Sequence, residues 1–337
     1  MRTNPILITG CHRSGSTFVG RMLSIPRCVS YVHEPFNYTS GCKSVDKWFP
    51  YVRKDSPNEE KYKSMISDLL GMKAKFKISS LDETTKSGID GLNRADVIRE
   101  LITKPSFSRF ARGLLKILFT SKNTITYKAA RYNPFRERLL LKDPIACMSS
   151  EYLHRQFQMD VVIVVRHPAA FVSSLRKMKW KSDLDFIFEQ PDLIHDHNLK
   201  IQEIKGAGNG ALREGALVWK YLYQVLHRYI ERNPAIIPVR YEDLCLDPLS
   251  YYQSLYRKLE IPWDSSVELK RAVSPSRNDQ RRVSDRLSLR RGAFKSVKTD
   301  SQSVASRGKK VLTDEEIQTI RQITEPVASR FYADGDW

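Results

Sequence analysis

Four short apolar runs, each breaking off at polar residues suited to chemistry, constrain the fold of this chain more than any other feature. They are Pro5 to Ile8, Leu139 to Leu141, Val161 to Val165 and Ile236 to Val239. Each is too short for a helix, and three are followed by helix-like patterns. Near-continuous apolar strands joined by helical crossovers are what a parallel sheet buried on both faces requires. The expected class is therefore α/β, with a central, mainly parallel sheet flanked by helices. In open sheets of this kind ligands gather at the carboxyl ends of the strands. The segments of interest are Thr9 to Thr17, Lys142-Asp143-Pro144, Arg166-His167-Pro168 and Arg240-Tyr241-Glu242-Asp243.

The first of these reads TGCHRSGST. It has the two glycines and the terminal threonine of a phosphate-binding loop, yet Ser16 stands where G-x-x-x-x-G-K-[ST] places lysine. Between a strand and a helix, the backbone N–H groups of Ser14, Gly15, Ser16 and Thr17 would converge on an anion that the helix dipole also favours. In nucleoside-triphosphate enzymes the lysine bridges the β- and γ-phosphates and the following Ser or Thr holds Mg²⁺. With Arg13 as the nearby cation instead, the loop suits a donor in which one phosphate precedes a less charged transferable group.

A net charge of +18 over 337 residues makes polyanions natural partners, but DNA, RNA, anionic lipids, acidic glycans and nucleotides all qualify. No helix-turn-helix, zinc-finger or RNP signature is present, which argues against nucleic acid. With 41% hydrophobic and 28% charged residues the chain has a globular composition. No apolar run approaches the roughly 18 to 20 residues that span a bilayer, and a strand begins too soon after Met1 for a secretory signal. A cytoplasmic protein is expected. The cysteines at 11, 28, 42, 147 and 245 show neither C-x-x-C nor zinc-finger spacing, so reduced thiols and no metal are expected.

A single domain over 1–337 is expected, with a helical, basic insertion at about 43–130. Ser56-Pro57-Asn58-Glu59 offers a capping box, after which Tyr62, Met65, Ile66, Leu69 and Leu70 share one face before Gly71. A second helix near 107–118 has a basic face opposite its apolar one. It fits an insertion packed on the core, or else peripheral contact with an anionic membrane.

At this point the chain resembles the sulfotransferases that use 3′-phosphoadenosine-5′-phosphosulfate. Their 5′-phosphosulfate loop, [KR]-S-G-[ST]-[ST], is matched by Arg13-Ser14-Gly15-Ser16-Thr17, and the arginine version is similar to that of carbohydrate-directed members. Their 3′-phosphate element is a strand ending in arginine and a helix carrying serine eight residues later, matched by Arg166 and Ser174. Pro168 suits the first turn of that helix, and Ser174 lies about 9 Å further along it. A guanidinium and a hydroxyl so placed can grip one phosphate from two sides. Arg240 to Leu244, followed by Asp247-Pro248, resembles the Y-E-D-L turn of the family, with acids read as structural caps. Arg290-Arg291-Gly292 resembles the R-K-G loop that closes over the nucleotide, although a solvated basic loop explains it equally well. Leu312-Thr313-Asp314-Glu315-Glu316 opens a final helix.

The resemblance implies sulfuryl transfer to an acceptor hydroxyl, on a carbohydrate or glycolipid, without a metal. Arg13 is assigned to the bridging and sulfuryl oxygens, where charge develops as the ester bond breaks, with Lys142 as second candidate. In His33-Glu34-Pro35-Phe36-Asn37 the resemblance makes Glu34 the general base, with His33 as second candidate. Pro35 biases Glu34 towards an extended, exposed conformation. His195-Asp196-His197 has no further metal ligand in view, and residues two apart diverge on a helix, so these are read as solvent or acceptor-site residues. Two rivals remain: a P-loop kinase using Mg-ATP, with Thr17 and Asp143 at the metal, and a non-enzymatic basic protein that binds polyanions.

Overall fold

The computed structural model describes residues 3–77, 121–178, 184–200, 202, 210–263 and 312–337. Its centre is a five-stranded sheet of β1 (Ile6–Thr9), β2 (Val29–His33), β3 (Arg138–Lys142), β4 (Asp160–Val165) and β5 (Ile237–Arg240), in the order β2-β3-β1-β4-β5. Every pairing is parallel. The four apolar runs supply β1, β3, β4 and β5. The fifth strand, Val29-Ser30-Tyr31-Val32-His33, lies at an edge and pairs only with β3. Its polar residues hide it from a search for continuous apolar runs.

Alternation along the strands sends side chains to opposite faces. Leu7, Leu141 and Ile163 enter one core cluster, and Ile6, Ile8, Leu140, Val162 and Val164 enter the other. Both faces are therefore buried, as the apolar runs require. The second cluster is covered by α1 (Ser16–Leu23), α9 (Tyr241–Leu246) and α10 (Pro248–Lys258). The first takes α2 (Glu59–Leu70), α3 (Lys122–Arg131), α4 (Ser150–Phe157), α5 (Pro168–Met178), α6 (Asp185–Phe188), α7 (Pro191–His197), α8 (Ala211–Arg232) and α11 (Asp314–Ala328).

Tyr62, Met65, Ile66 and Leu69 form the buried face of α2, which stops at Gly71. Its start differs from expectation. Asn58 is the N-cap and no side chain caps the helix. Ser56 Oγ instead donates to the Arg53 carbonyl (2.7 Å), and the Glu59 carboxylate accepts the Asp55 N–H (2.5 Å), so local turn bonds consume the capping-box residues. The final helix, α11, does open with a capping box between Thr313 and Glu316. Asp247 caps α10, accepting the Ser250 N–H at 3.3 Å. Glu242 is not a cap: it accepts the His167 N–H (2.9 Å) and the Tyr332 hydroxyl (3.0 Å), tying the exit of β4 to the carboxyl-terminal segment.

Candidate active site

The strand order changes direction at β1, so the loop after β1 lies at a switch point of the sheet. His33 and Lys142 are register partners, as are Ile8 and Lys142, which puts the ends of β1, β2 and β3 side by side. The loop is pinned closely. Thr9 Oγ1 donates to the Asp143 carbonyl (2.7 Å), and the Tyr223 hydroxyl of α8 accepts the Cys11 N–H (3.3 Å) while donating to the Val164 carbonyl (2.8 Å). Gly10 has φ 130°, and a Cβ there would stand 2.2 Å from the Val164 oxygen. Gly15 has φ 96°, and its Cβ would meet the Tyr241 ring at 2.3 Å. Only glycine meets both demands at either position.

Ser14 does not present its N–H outward as expected. That group turns back to the Cys11 carbonyl (3.1 Å). The N–H groups of Gly15, Ser16 and Thr17 make no hydrogen bond among the described residues, and they sit at the amino end of α1. Three convergent donors at a helix start form an anion cradle.

Beside the cradle, the two motif elements meet. Arg13 Nε donates to Ser174 Oγ (3.2 Å), and Arg166 donates through Nη1 to the Arg13 carbonyl (2.8 Å). Arg166 lies over the Tyr241 ring, 5.4 Å from its centroid, and its Nε is buried with no hydrogen-bond partner among the described residues. Its own carbonyl accepts the Trp219 indole N–H of α8 (2.8 Å). Burial, and then the Arg166 charge, hold the Arg13 pKa below its ordinary value. Two guanidiniums kept this close favour an anion between or above them.

On the other side of β1 lies a second polar group. Lys142 is buried between α1 and β2, its Cβ only 3.1 Å from where a side chain at Gly20 would begin. Its Nζ donates to Glu34 Oε1 at 2.5 Å, and Asn37 donates to Oε2 at 3.2 Å. Glu34 is not extended: φ is 42°. Its N–H donates to the Lys142 carbonyl (2.8 Å), its carbonyl accepts the Asn37 N–H (3.1 Å), and the intervening Phe36 N–H goes to Asp143 Oδ2 (2.6 Å). These bonds wrap residues 34–37 into a turn and override the local preference before Pro35. Burial pushes the Glu34 carboxyl up, but Lys142, His33 and the hydrogen bonds from Lys142 and Asn37 outweigh it and hold the pKa below the ordinary carboxylate range. The side chain is ionised at neutral pH.

His33 is buried next to it, with Nε2 3.7 Å from Glu34 Oε1 and Nδ1 2.9 Å from the Tyr31 hydroxyl. Burial first, then Lys142, lowers its pKa to about 3, so the ring is neutral. His12 lies within the loop, next to Arg13. Its ring packs 5.2 Å from Phe171 and 6.0 Å from Phe49, and its pKa, lowered to about 4 by burial and Arg13, is raised in part by Glu34.

Sequence reasoning paired Arg166 with Ser174, gave Arg13 and Lys142 to the sulfuryl oxygens and made Glu34 and His33 the base candidates; the structure sets Arg13 against Ser174 and Arg166, and Lys142 against Glu34 beside His33. It missed Trp219 and Tyr223, which pin the loops, and gave no such role to Tyr241 or His12, although both fall in segments it singled out. Their only sequence signal is an aromatic residue near a strand end or on a core helix. His197 corrects another expectation: it is buried, 5.4 Å from the Tyr229 ring and 5.6 Å from Tyr51, while His195 is exposed. Asp196 accepts the Tyr51 hydroxyl at 2.8 Å. Arg290, Arg291, Gly292 and residues 107–118, where a helix was expected, lie outside the described residues. No group of three or more His, Cys, Asp or Glu suited to a metal occurs among the described residues, and no described helix is long and apolar enough to cross a membrane.

Comparison with known proteins bears on this arrangement. The model of the Sulfotransferase family matches residues 5–265. Among solved structures, the chain is similar to a sulfotransferase domain from the curacin biosynthetic pathway, at 16% identity and TM-score 0.46, covering 95% of this chain and 96% of that one. It is also similar to the sulfotransferase domain of the Synechococcus PCC 7002 olefin synthase, at 17% identity and TM-score 0.43, covering 96% and 94%. A sulfotransferase from Mycobacterium avium matches at 11% identity and TM-score 0.40, covering 98% of this chain and 77% of that one. No curated protein matches.

Proposed function

The chain belongs to the sulfotransferase family, and from that premise we propose that it moves a sulfuryl group from 3′-phosphoadenosine-5′-phosphosulfate to a hydroxyl of a carbohydrate or glycolipid. The observation that carries the donor assignment is the contact of Arg13 with both Ser174 and Arg166 beside three unpaired N–H groups. A ligand with an anion at each end of one ribose matches that layout. The N–H groups of Gly15, Ser16 and Thr17 take the 5′-phosphosulfate, and Arg166 with Ser174 takes the 3′-phosphate. The orphaned Nε of Arg166 is a buried donor that such a phosphate would satisfy.

Bound there, the nucleotide supplies the activated sulfate. Transfer of this kind is an in-line displacement governed by positioning and charge stabilisation. Glu34, ionised and held by Lys142, takes the proton of the acceptor hydroxyl as the new O–S bond forms. The bond from sulfur to the bridging oxygen breaks in the same step, and the negative charge left on that oxygen of the departing adenosine 3′,5′-bisphosphate is stabilised by Arg13 and Lys142. His33 ranks behind Glu34, because it is buried and its Nδ1 faces Tyr31.

The kinase reading requires Asp143 at a metal beside Thr17. Both its carboxylate oxygens are instead committed to backbone N–H groups, of Phe36 at 2.6 Å and Ile145 at 2.9 Å, inside the core.

Thermal unfolding tests the proposal. Adenosine 3′,5′-bisphosphate without metal raises the melting temperature and Mg-ATP raises it little. Arg166→Ala loses that stabilisation, whereas Glu34→Ala keeps it and loses sulfuryl transfer. A larger shift with Mg-ATP than with the bisphosphate would refute the donor. Labelled donor offered with glycan, lipid and small-molecule fractions of a cell extract identifies the acceptor, and labelling confined to the small-molecule fraction would refute its class.

A further inference from the structure

One peptide unit, between Arg166 and His167, is gripped from both sides. Its carbonyl accepts the Trp219 indole N–H of α8 (2.8 Å), and its N–H donates to Glu242 Oε1 in the first turn of α9 (2.9 Å). Because a peptide plane is rigid, two opposed bonds fix the backbone from which the Arg166 side chain leaves. His167 carries the arrangement into α5. Its Nδ1 accepts the Ala169 N–H (3.3 Å) and its carbonyl accepts the Phe171 N–H (2.9 Å), in the first turn of the helix that bears Ser174. Arg166 and Ser174, the two groups assigned to the 3′-phosphate, are thus joined through one buried residue.

The groups that hold His167 come from the segment 332–337. Glu242 Oε2 accepts the hydroxyl of buried Tyr332 at 3.0 Å, so the carboxylate that takes the His167 N–H is itself held in place. The His167 ring stands edge-on to Tyr332 and to Trp337, with centroids 4.9 Å and 4.5 Å apart, a geometry that aromatic pairs favour. Arg240 fastens the segment to β5, lying 4.7 Å from the Tyr332 ring centroid and donating to Asp336 at 2.9 Å. Such bracing matters to binding because Arg13 and Arg166 repel each other. Before an anion arrives, an aim that suits a phosphate has to be kept by the backbone, and a group already aimed loses less freedom when the ligand docks.

We propose that Glu242, Tyr332 and Trp337 are positioning residues for the 3′-phosphate: by holding His167 they aim Arg166 and set Ser174, and so determine how strongly the protein prefers a nucleotide with a 3′-phosphate to one without it. The proposal rests on the donor reading given above and adds to it a specificity determinant drawn from a segment remote in sequence. The three residues act through His167 and need no contact with the ligand.

The test compares two nucleotides that differ only in that phosphate. The full chain is titrated calorimetrically with adenosine 3′,5′-bisphosphate, and adenosine 5′-monophosphate is measured by competition against it. Tyr332→Phe, which removes one hydroxyl, is expected to lower the wild-type preference for the bisphosphate roughly tenfold, with monophosphate affinity unchanged. Glu242→Ala and Trp337→Leu lower it as well. Glu242→Gln keeps an oxygen for the His167 N–H and an amide that can donate to the Tyr332 oxygen, so its preference stays close to that of wild type. Should Glu242→Ala fail to fold, Tyr332→Phe and Trp337→Leu decide the matter. Wild-type preference in those two variants overturns the proposal, as does equal weakening of both nucleotides, the mark of a purely structural role, or a Glu242→Gln variant as impaired as Glu242→Ala. A wild-type protein that binds the two nucleotides equally, or binds neither, would instead count against the donor assignment, and is read separately.

Discussion

Lys142→Met is the substitution whose effect can be worked furthest from the structure. Nζ and Glu34 Oε1 are 2.5 Å apart, and at an effective dielectric constant near 20 their attraction is about 7 kcal/mol before desolvation of either group is deducted. Removing the ammonium leaves a carboxylate with 20% side-chain exposure and the Asn37 amide as its remaining side-chain donor. That carboxylate can escape the penalty by binding a proton. Relative to an unfolded Glu near pKa 4.3, protonation costs about 4 kcal/mol at pH 7 and about 1 kcal/mol at pH 5. These values cap the contribution of the stranded charge.

At Glu34 itself the wild-type protein provides a flat reference over this window, so each variant is compared with wild type at the same pH. Its Glu34 pKa lies below the ordinary value, so the resulting stability is fully present above the unfolded pKa and is lost only as pH falls through the lower, folded one. Lys142→Met is therefore expected to lose roughly 2 to 4 kcal/mol at pH 7 and to recover most of that at pH 5. The double variant Glu34→Gln/Lys142→Met, which has no stranded charge, should regain stability at pH 7. Urea unfolding followed by tryptophan fluorescence at both pH values measures each difference. A deficit that is the same at pH 5 and pH 7 and is not relieved in the double variant would refute the argument, and would mean that lost packing, not lost charge, is the cause.

Two further outcomes follow from the loops. Gly15→Ala places a Cβ 2.3 Å from the Tyr241 ring at φ 96°, so it should destabilise by roughly 1 to 3 kcal/mol and weaken bisphosphate binding, while wild-type affinity would show that the Tyr241 pin is dispensable. Asp143 is buried and its pKa is raised to about 7, chiefly by desolvation with Glu34 adding to it, so its contribution is fully present below pH 4 and is lost as pH rises through 7. Asp143→Asn should remove that slope, of at most about 1.4 kcal/mol per pH unit, from a stability profile taken between pH 4 and 7; an unchanged slope would assign the titration elsewhere.

What could be read in the sequence divides along a physical line. β1, β3, β4 and β5 were legible because strands buried on both faces must be apolar throughout, whereas Arg166 and Ser174 stood out only because their eight-residue spacing resembles the 3′-phosphate element of the sulfotransferases. β2 was not, since an edge strand tolerates Ser30 and His33 among its apolar residues. Local rules failed where distant groups outbid them. The preference before Pro35 is worth less than the bonds to Lys142, Asn37 and Asp143 that turn the chain at Glu34. The capping-box reading at Ser56 gave way to bonds with Arg53 and Asp55 of the preceding turn.

On the proposed function, the least legible residues are those that answer how a phosphate loop can lack its lysine. A lysine inside the loop carries its charge to the ligand on its own stem. Here the cations come from the ends of β1, β3 and β4, as Arg13, Lys142 and Arg166, and the repulsion between Arg13 and Arg166 would part those two if their backbones were loose. Neutral groups resist that: the Trp219 indole holds the Arg166 carbonyl, Tyr223 holds Cys11 and Val164, and Tyr241 lies beneath Arg166 and against Gly15. Trp219 and Tyr223 are a helical turn apart on α8, so one rigid helix braces two loops, and a charge-poor clamp keeps the field for the ligand. In a sequence, such residues look like ordinary core aromatics of an amphipathic helix. Their role comes from the strand ends they face, which only the assembled fold defines.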